Sequence, residues 1–252
     1  MQEKLNSAHR IKAILHAAKN TQAAKSAQGK RRVIDAWAEA LNVRTKDDNI
    51  RSLAVSERLI WMAGQLETAE SQMKRTEFSE SLYKVALTKV RLAISPMILG
   101  SNWDVAAQYL LPETMQALAF ISEILPDEEA EISDESIREI EASLEELLNA
   151  AHGENVPESL AELISHHIDL IYKALQEYPI LGARALRLAG QAALGEIVEN
   201  QAVIEENTAS PAVEKLKATW RKVNTVADTA LKAERIVQLT NRTQEFLSQF
   251  FP

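Results

Sequence analysis

Apolar residues along this chain recur at intervals of three and four positions, which is the period of one face of an α-helix. Residues 157–178 carry such a stripe, made of Leu160, Ile164, His167, Ile171, Leu175 and Tyr178. Residues 133–152 carry another, made of Ile137, Ile140, Leu144, Leu147, Leu148 and Ala151. Ser133 precedes Asp134 and Glu135, so it can cap this helix and leave acids at the positive end of its dipole. With few Gly and Pro in the chain, the pattern predicts an all-α fold.

The C-terminal segment, residues 212–251, contains neither Gly nor Pro to interrupt a helix. Its first stripe consists of Val213, Leu216, Trp220, Val223, Ala227 and Ala230. That stripe lapses at Glu234, and a second one follows on a shifted face, with Ile236, Leu239, Phe246 and Phe250. A change of face within one helical segment predicts a bend, a break or a stutter near residues 231–236.

The rest of the chain divides by the density of helix-breaking residues. The N-terminal half predicts long helices at about 2–27, 30–43, 48–76 and 79–95. Gly and Pro are concentrated between residues 96 and 179, which predicts shorter helices joined by tight turns. We therefore predict a multi-helix bundle of three regions, which could form one domain: 1–95, a compact middle 96–206, and a C-terminal helix 207–252 that packs back on the rest.

Charge divides the chain more sharply than hydropathy does. The net charge is −8, yet residues 1–46 hold ten Lys or Arg and three acids. Residues 104–206 hold four basic and 22 acidic residues. The acidity is therefore a property of the middle of the chain, and the first helices are basic. Such a segregation favours partners of opposite charge for either part.

Composition excludes several classes of protein. The chain has no cysteine, which removes disulfides, thiolate chemistry and Cys-ligated zinc. Its most apolar stretch, residues 180–198, carries Arg184, Arg187 and Gln191, so we interpret it as a buried helix and not a membrane span. Residues 1–32 lack the apolar run of a signal peptide. We expect a cytoplasmic protein that does not enter the membrane.

The first predicted helix contains one arrangement that could carry chemistry. Its segment Arg10-Ile-Lys-Ala-Ile-Leu-His16 resembles the motif of HEPN-type ribonucleases, in which Arg is followed by four to six residues and then His on a helix of an all-α fold. The resemblance implies that His16 acts as acid or base while Arg10 holds the phosphate. The alternative is an ordinary basic amphipathic helix.

A second arrangement could contribute to a metal site. Glu162, His166 and Asp169 share one face of their predicted helix, which is half of a ligand set. The alternative is that His166 belongs to a solvated stripe while its neighbour His167 is a hydrogen-bonded core residue. No phosphate-binding glycine loop and no nucleophile elbow occurs in the sequence. We predict no cofactor, and the sequence favours a non-catalytic role without deciding it.

Two groups of residues are candidates for contact with a partner. The basic cluster Lys30, Arg31 and Arg32, with the other cations of residues 1–46, could bind nucleic-acid phosphates. Alternatively, the basic helix packs near the acidic middle, within the chain or across a dimer. At the other end, three phenylalanines could anchor a partner or dock on the body of the protein, namely Phe246, Phe250 and Phe251.

These features lead to two functional hypotheses. The first is a non-catalytic helical interaction or regulatory protein, of the antitoxin, immunity or assembly-factor type in a bacterium, whose partner is another protein. The alternative is a nucleic-acid-associated protein that acts through residues 1–46, with a HEPN-like ribonuclease as its enzymatic form. Self-association through residues 212–251 is compatible with either hypothesis.

Overall fold

The computed structural model describes residues 4–25, 31–153 and 155–231. The predicted fold class is confirmed, since the protein is an all-α, multi-helix structure, 76% helical. The first six helices are α1 Ser7–Lys25, α2 Val33–Ala40, α3 Asp48–Met73, α4 Lys84–Ala93, α5 Asp104–Ala107 and α6 Pro112–Ile124. They are followed by α7 Asp134–Ala151, α8 Glu158–Leu181, α9 Arg184–Glu199, α10 Gln201–Glu206 and α11 Pro211–Ala230.

Side-chain caps fix where the principal helices begin. The carboxylate of Asp47 accepts hydrogen bonds from the backbone N–H groups of Asn49 and Ile50, the second and third residues of α3, which have no intrahelical partner. The Ser133 hydroxyl caps α7, as its sequence context predicted, by accepting the backbone N–H of Ser136. Ser210 caps α11, whose first residue is Pro211, the position where the missing N–H of proline costs nothing.

The chain forms two compact units, Met1–Asp127 and Glu128–Pro252. This division differs from the predicted boundaries at residues 95 and 206. Residues 96–127 belong with the first unit because α6 packs on α1 and α4. Residues 207–231 belong with the second because α11 packs on α7 and α9. Charge segregation is a property of the surface, whereas the units are defined by their cores.

In the first unit, α1 lies against α2, α3 and α6, while α4 packs on α6. The largest fully buried side chains of its core are Ile11, Leu15, Trp37, Leu59, Met62, Leu66, Met73, Tyr83, Leu87 and Leu110. Helix α1 is therefore a central element of the unit, with its apolar side covered.

In the second unit, α8 and α9 form a hairpin and α7 packs on α8 and α11. The stripes predicted for these helices supply its core, with Ile140, Leu144, Leu147, Leu160, Ile164 and Ile171 all fully buried. Leu148 departs from the prediction because it is 40% exposed at the edge of the α7 stripe. Helix α11 ends at Ala230, and Leu231 is extended, where the sequence predicts an interruption. The remainder of residues 231–236 lies outside the described part of the chain.

Candidate interaction surface

The pair Arg10 and His16 is not brought together on α1. The Arg10 side chain is buried and its Nη2 donates to Oε1 of Gln65 on α3, at 3.2 Å. His16 is exposed. Six residues along a helix separate them by about 9 Å of rise and about 120° of rotation. Arg10 thus serves the packing of α1 on α3, and a phosphate could not meet both groups at once.

Other cations of the N-terminal segment bond to backbone carbonyls within the first unit. The Lys4 ammonium donates to the carbonyl oxygens of Glu123 at 2.5 Å and Leu125 at 3.3 Å, which belong to the C-terminal end of α6. Lys19 donates to the carbonyl of Leu110 at 2.6 Å. The last carbonyl groups at the C-terminal end of a helix have no intrahelical donor. A cation placed there donates hydrogen bonds to them and interacts favourably with the negative end of the helix dipole. These lysines stabilise the fold and are not left free for phosphates.

Arg31 and Arg32 are also engaged within the first unit. Arg31 pairs with Glu39 at 3.1 Å, and Arg32 Nε lies 3.3 Å from Oδ2 of Asp35. The hydrogen bond to Asp35 raises the pKa of the Arg32 guanidinium, helped by the charge of the same carboxylate. Lys30, the third member of this predicted cluster, lies outside the described residues. The neighbouring acids neutralise much of the positive potential that the sequence alone suggests.

A shallow hollow of 680 Å³ lies between α2 and the start of α3, lined by Arg31, Asp35, Ala38, Glu39, Asn42, Val43, Arg44, Thr45, Lys46 and Arg51. Arg44 Nε donates to Oδ1 of Asn42 at 2.8 Å. Within the described residues, Arg44 and Lys46 form no ion pair. The lining of the hollow contains hydroxyl and amide groups, four cations and two carboxylates. The hollow therefore offers a weakly positive edge.

The proposed half-site for a metal lies on the surface of α8. Glu162, His166 and Asp169 are all exposed. His166 Nε2 is 3.6 Å from Oε1 of Glu196 on α9. Among the described residues, no three His, Asp or Glu side chains lie close enough together to hold a metal ion. His166 therefore sits in a solvated charged stripe.

His167 is the hydrogen-bonded core histidine that the pattern predicted. It is fully buried, and its Nδ1 accepts a hydrogen bond from Nε1 of Trp220 on α11 at 3.2 Å. Burial, and to a smaller extent the charge of His166, lowers the pKa of His167 to about 4. The ring is therefore neutral at physiological pH, and it links α8 to α11.

A buried carboxylate, which no local sequence pattern marks, organises the turn between α8 and α9. Glu129 is 6% exposed, and its Oε2 accepts the backbone N–H of Ala183 at 2.5 Å. This places a negative charge at the N-terminus of α9. Gly182 adopts φ 68° and ψ −159°, and a Cβ there would overlap both carboxylate oxygens of Glu129. Glycine at this position thus permits both the backbone conformation and the close approach of the carboxylate.

The most unusual surface of the first unit is one side of α3. Ile50, Leu53 and Ile60 are 57%, 73% and 63% exposed, and they lie on one side at helical spacing. The same side carries Glu57, Gly64 and Glu67, all exposed. We define the α3 face as Ile50, Leu53, Glu57, Ile60, Gly64 and Glu67. The opposite side packs into the unit through Val55, Leu59, Met62, Leu66, Ala69 and Met73.

The number of apolar residues in this part of α3 indicates that some of them must be exposed. Residues 50–63 include nine apolar positions, more than one helix side can bury. The other exposed aliphatic side chains in the described part of the first unit are Leu82, Val85, Leu92, Met97 and Leu111. In the described part of the second unit, the exposed large apolar residues are at most 43% exposed. Exposed apolar surface is thus greatest in the first unit, whereas the acidic excess lies in the second.

Among the described helices, none combines the length and the apolar character needed to cross a lipid bilayer. Phe246, Phe250 and Phe251 lie outside the described residues. No family model, curated protein or solved structure matches this chain. The protein is thus defined by its fold as an all-α chain of two helical units, and its function has to be inferred from its own surfaces.

Proposed function

We propose that this protein is a non-catalytic interaction or regulatory protein that binds another protein through the α3 face. The observation that carries the proposal is the exposure of Ile50, Leu53 and Ile60 on one side of a 26-residue helix. Exposed apolar patches rimmed by polar residues mark interaction sites on folded proteins. An antitoxin, immunity or assembly factor working in the cytoplasm would present such a surface.

The energetics favour covering this face. Fully burying an aliphatic side chain contributes about 1.5–3 kcal/mol, and these three retain more than half of their accessible area. A helix that docks on another protein does so through residues that recur at three, four or seven positions, and Ile50, Leu53 and Ile60 are three and seven positions apart. Because its other side is anchored in the core, α3 is ordered before it meets a partner, so binding requires little further ordering of this helix.

A pull-down from the native cell at moderate salt tests this proposal. The double variant Leu53→Asp/Ile60→Asp should lose the protein partner that the wild type retains, because two charges would be buried in the interface. The matched control is Leu188→Asp/Val198→Asp, which changes two exposed aliphatic residues of α9. Circular dichroism establishes that both variants remain folded. A partner retained by the α3 variant would exclude this face as the binding surface.

The competing function is nucleic-acid association through residues 1–46. Arg44 and Lys46 support it, because both are exposed and neither pairs with a carboxylate among the described residues. If the protein has this function, nucleic acid should elute with it in a pull-down at low salt, and the amount of nucleic acid should fall as the salt concentration rises. Arg44→Gln/Lys46→Gln should then weaken retention, whereas Leu53→Asp/Ile60→Asp should not. The two functions therefore respond to different variants in the same experiment.

A further inference from the structure

The α3 face carries charge of one sign. Glu57 and Glu67 are its two ionisable residues, and both side chains are exposed. Neither forms a salt bridge or accepts a hydrogen bond among the described residues. They are ten positions apart, which corresponds to about 15 Å along the helix. The charge of Arg58 acts on Glu57, but neither carboxylate is held by a hydrogen-bonded cation among the described residues. The face therefore combines an aliphatic strip with two carboxylates open to a further cation.

We propose that the partner on the α3 face is a basic amphipathic helix of another protein. Its apolar stripe would cover Leu53 and Ile60, and its Lys or Arg side chains would flank that stripe and meet Glu57 and Glu67. This inference rests on the proposed function and adds the chemistry of the partner. Helices lie in apolar grooves through residues at three-and-four spacing, while the surrounding charges select the partner and its orientation.

A second copy of α3 is a poorer occupant of this face. In a parallel pair, Glu57 would face Glu57 and Glu67 would face Glu67. An antiparallel pair centred between Leu53 and Ile60 would bring the two copies of Glu57 close together. Like charges across an interface oppose association. A helix with basic flanks turns both carboxylates into attractive contacts, so charge complementarity favours it over a second copy.

Gly64 adds an independent observation for a helix as the occupant. It is exposed in the interior of α3, on the same face as Ile60 and Glu67. A Cβ placed there would meet no described atom within 4 Å apart from the backbone of its own helix. Side chains at a helix–helix contact set the distance between the axes. A glycine at this point lets a second helix approach closely where a larger residue would hold it away.

Three synthetic helical peptides test the inference. They share one leucine stripe and carry Lys, Gln or Glu at the flanking positions, and their binding to the full-length protein is measured by fluorescence anisotropy. The lysine peptide should bind most tightly and should weaken with salt. Glu57→Lys/Glu67→Lys should reduce its affinity by about tenfold. The glutamine peptide should respond much less to the same substitutions.

The lysine peptide could also be attracted by acidic residues elsewhere in the protein, so a matched control variant is needed. Glu141→Lys/Glu145→Lys makes the same change in net charge at exposed glutamates of α7, and it should leave binding of the lysine peptide unchanged. Equal losses in the two double variants would overturn the inference, because attraction would then be non-specific. Equal affinity for the lysine and glutamine peptides would overturn it as well, as would the absence of any binding.

Failure of this inference is distinguishable from failure of the proposed function. If the lysine and glutamine peptides bind with equal affinity and Leu53→Asp abolishes the binding of both, the α3 face is a binding surface whose partner is not selected by charge. Sedimentation provides the remaining outcome. A wild-type dimer that Leu53→Asp disperses and Glu57→Lys/Glu67→Lys preserves would assign the face to a second copy, and would overturn the basic-helix inference.

Discussion

At the scale of single residues, His167 occupies a site that opposes its protonation. Because the Trp220 indole N–H only donates, Nδ1 must accept and the neutral ring carries its proton on Nε2. Burial lowers the pKa of His167 to about 4, below the ordinary value of 6.5 that applies in the unfolded chain. Between these two values the unfolded chain binds a proton that the folded second unit does not.

We therefore expect the free energy of unfolding of the second unit to fall as the pH drops from 6.5 towards 4. Above pH 6.5 the His167 contribution is complete, and below the folded pKa the loss reaches roughly 3 kcal/mol. Denaturant unfolding of the wild type and of His167→Gln across this range isolates the effect from that of the carboxylates. Stability curves that stay parallel for the two proteins would contradict the assignment.

Residue-scale features also show where sequence reasoning ends. The buried position of His167 follows from the stripe it shares with Ile164 and Ile171. The role of Glu129 does not, because its partner Ala183 is 54 positions away along the chain. The ion pair of Arg32 with Asp35 is local, whereas its ion pair with Asp48 is not, because Asp48 begins a different helix. Local pattern predicts burial, whereas the pairing of charges depends on tertiary structure.

At the scale of elements, two exposed glycines lie in the interiors of long helices. Gly64 in α3 and Gly195 in α9 are both exposed, and a Cβ at either would meet no described neighbour within 4 Å outside its own helix backbone. Replacing either by Ala should raise the free energy of unfolding by about 0.5–1 kcal/mol, because Gly loses more backbone entropy on folding. Thermal unfolding of both variants checks this.

The same pair separates stability from binding. If a helix docks on the α3 face, Gly64→Ala should weaken partner binding although it stabilises the protein, because the added methyl group holds the two helices apart. Gly195→Ala should stabilise the protein and leave binding unchanged. Tighter or unaltered binding by Gly64→Ala would show that no close contact is made at this point.

The sequence largely predicted where the helices lie, but it predicted the buried side of some helices better than that of others. In α7, α8 and α11 a single apolar stripe leaves one choice of buried side, and that side is buried in the structure. In α3 the residues Val55 and Leu59 compete with Leu53 and Ile60, and periodicity cannot say which pair enters the core. The buried pair is decided by the helices that pack on α3, which are α1, α2, α4 and α6.

At the scale of the whole molecule, charge is distributed unequally between the two units. Residues 1–127 hold 17 basic and 14 acidic residues, whereas residues 128–252 hold 11 basic and 22 acidic ones. Some acids are compensated, for example Glu146 by Lys215 and Asp228 by Arg187. The second unit nevertheless holds eleven more acidic than basic residues, and repulsion among like charges destabilises a compact state.

Added salt should therefore stabilise the second unit and leave the nearly neutral first unit almost unaffected. Screening acts over about 10 Å at moderate ionic strength, which is comparable to the distance between charges on neighbouring helices. Trp220 lies in the second unit, while Trp37, Trp61 and Trp103 lie in the first. Fluorine NMR of protein labelled with 5-fluorotryptophan can thus follow each unit separately during heating.

We expect the midpoint reported by Trp220 to rise by roughly 2–5 °C between low and high salt. Glu141→Lys/Glu145→Lys lowers the charge of this unit and should reduce that rise, because less repulsion is left to screen. Equal shifts at Trp220 and Trp37 would mean that salt acts on apolar burial and not on the acidic excess. The acidity of the second unit would then carry no energetic cost that a partner of opposite charge could relieve.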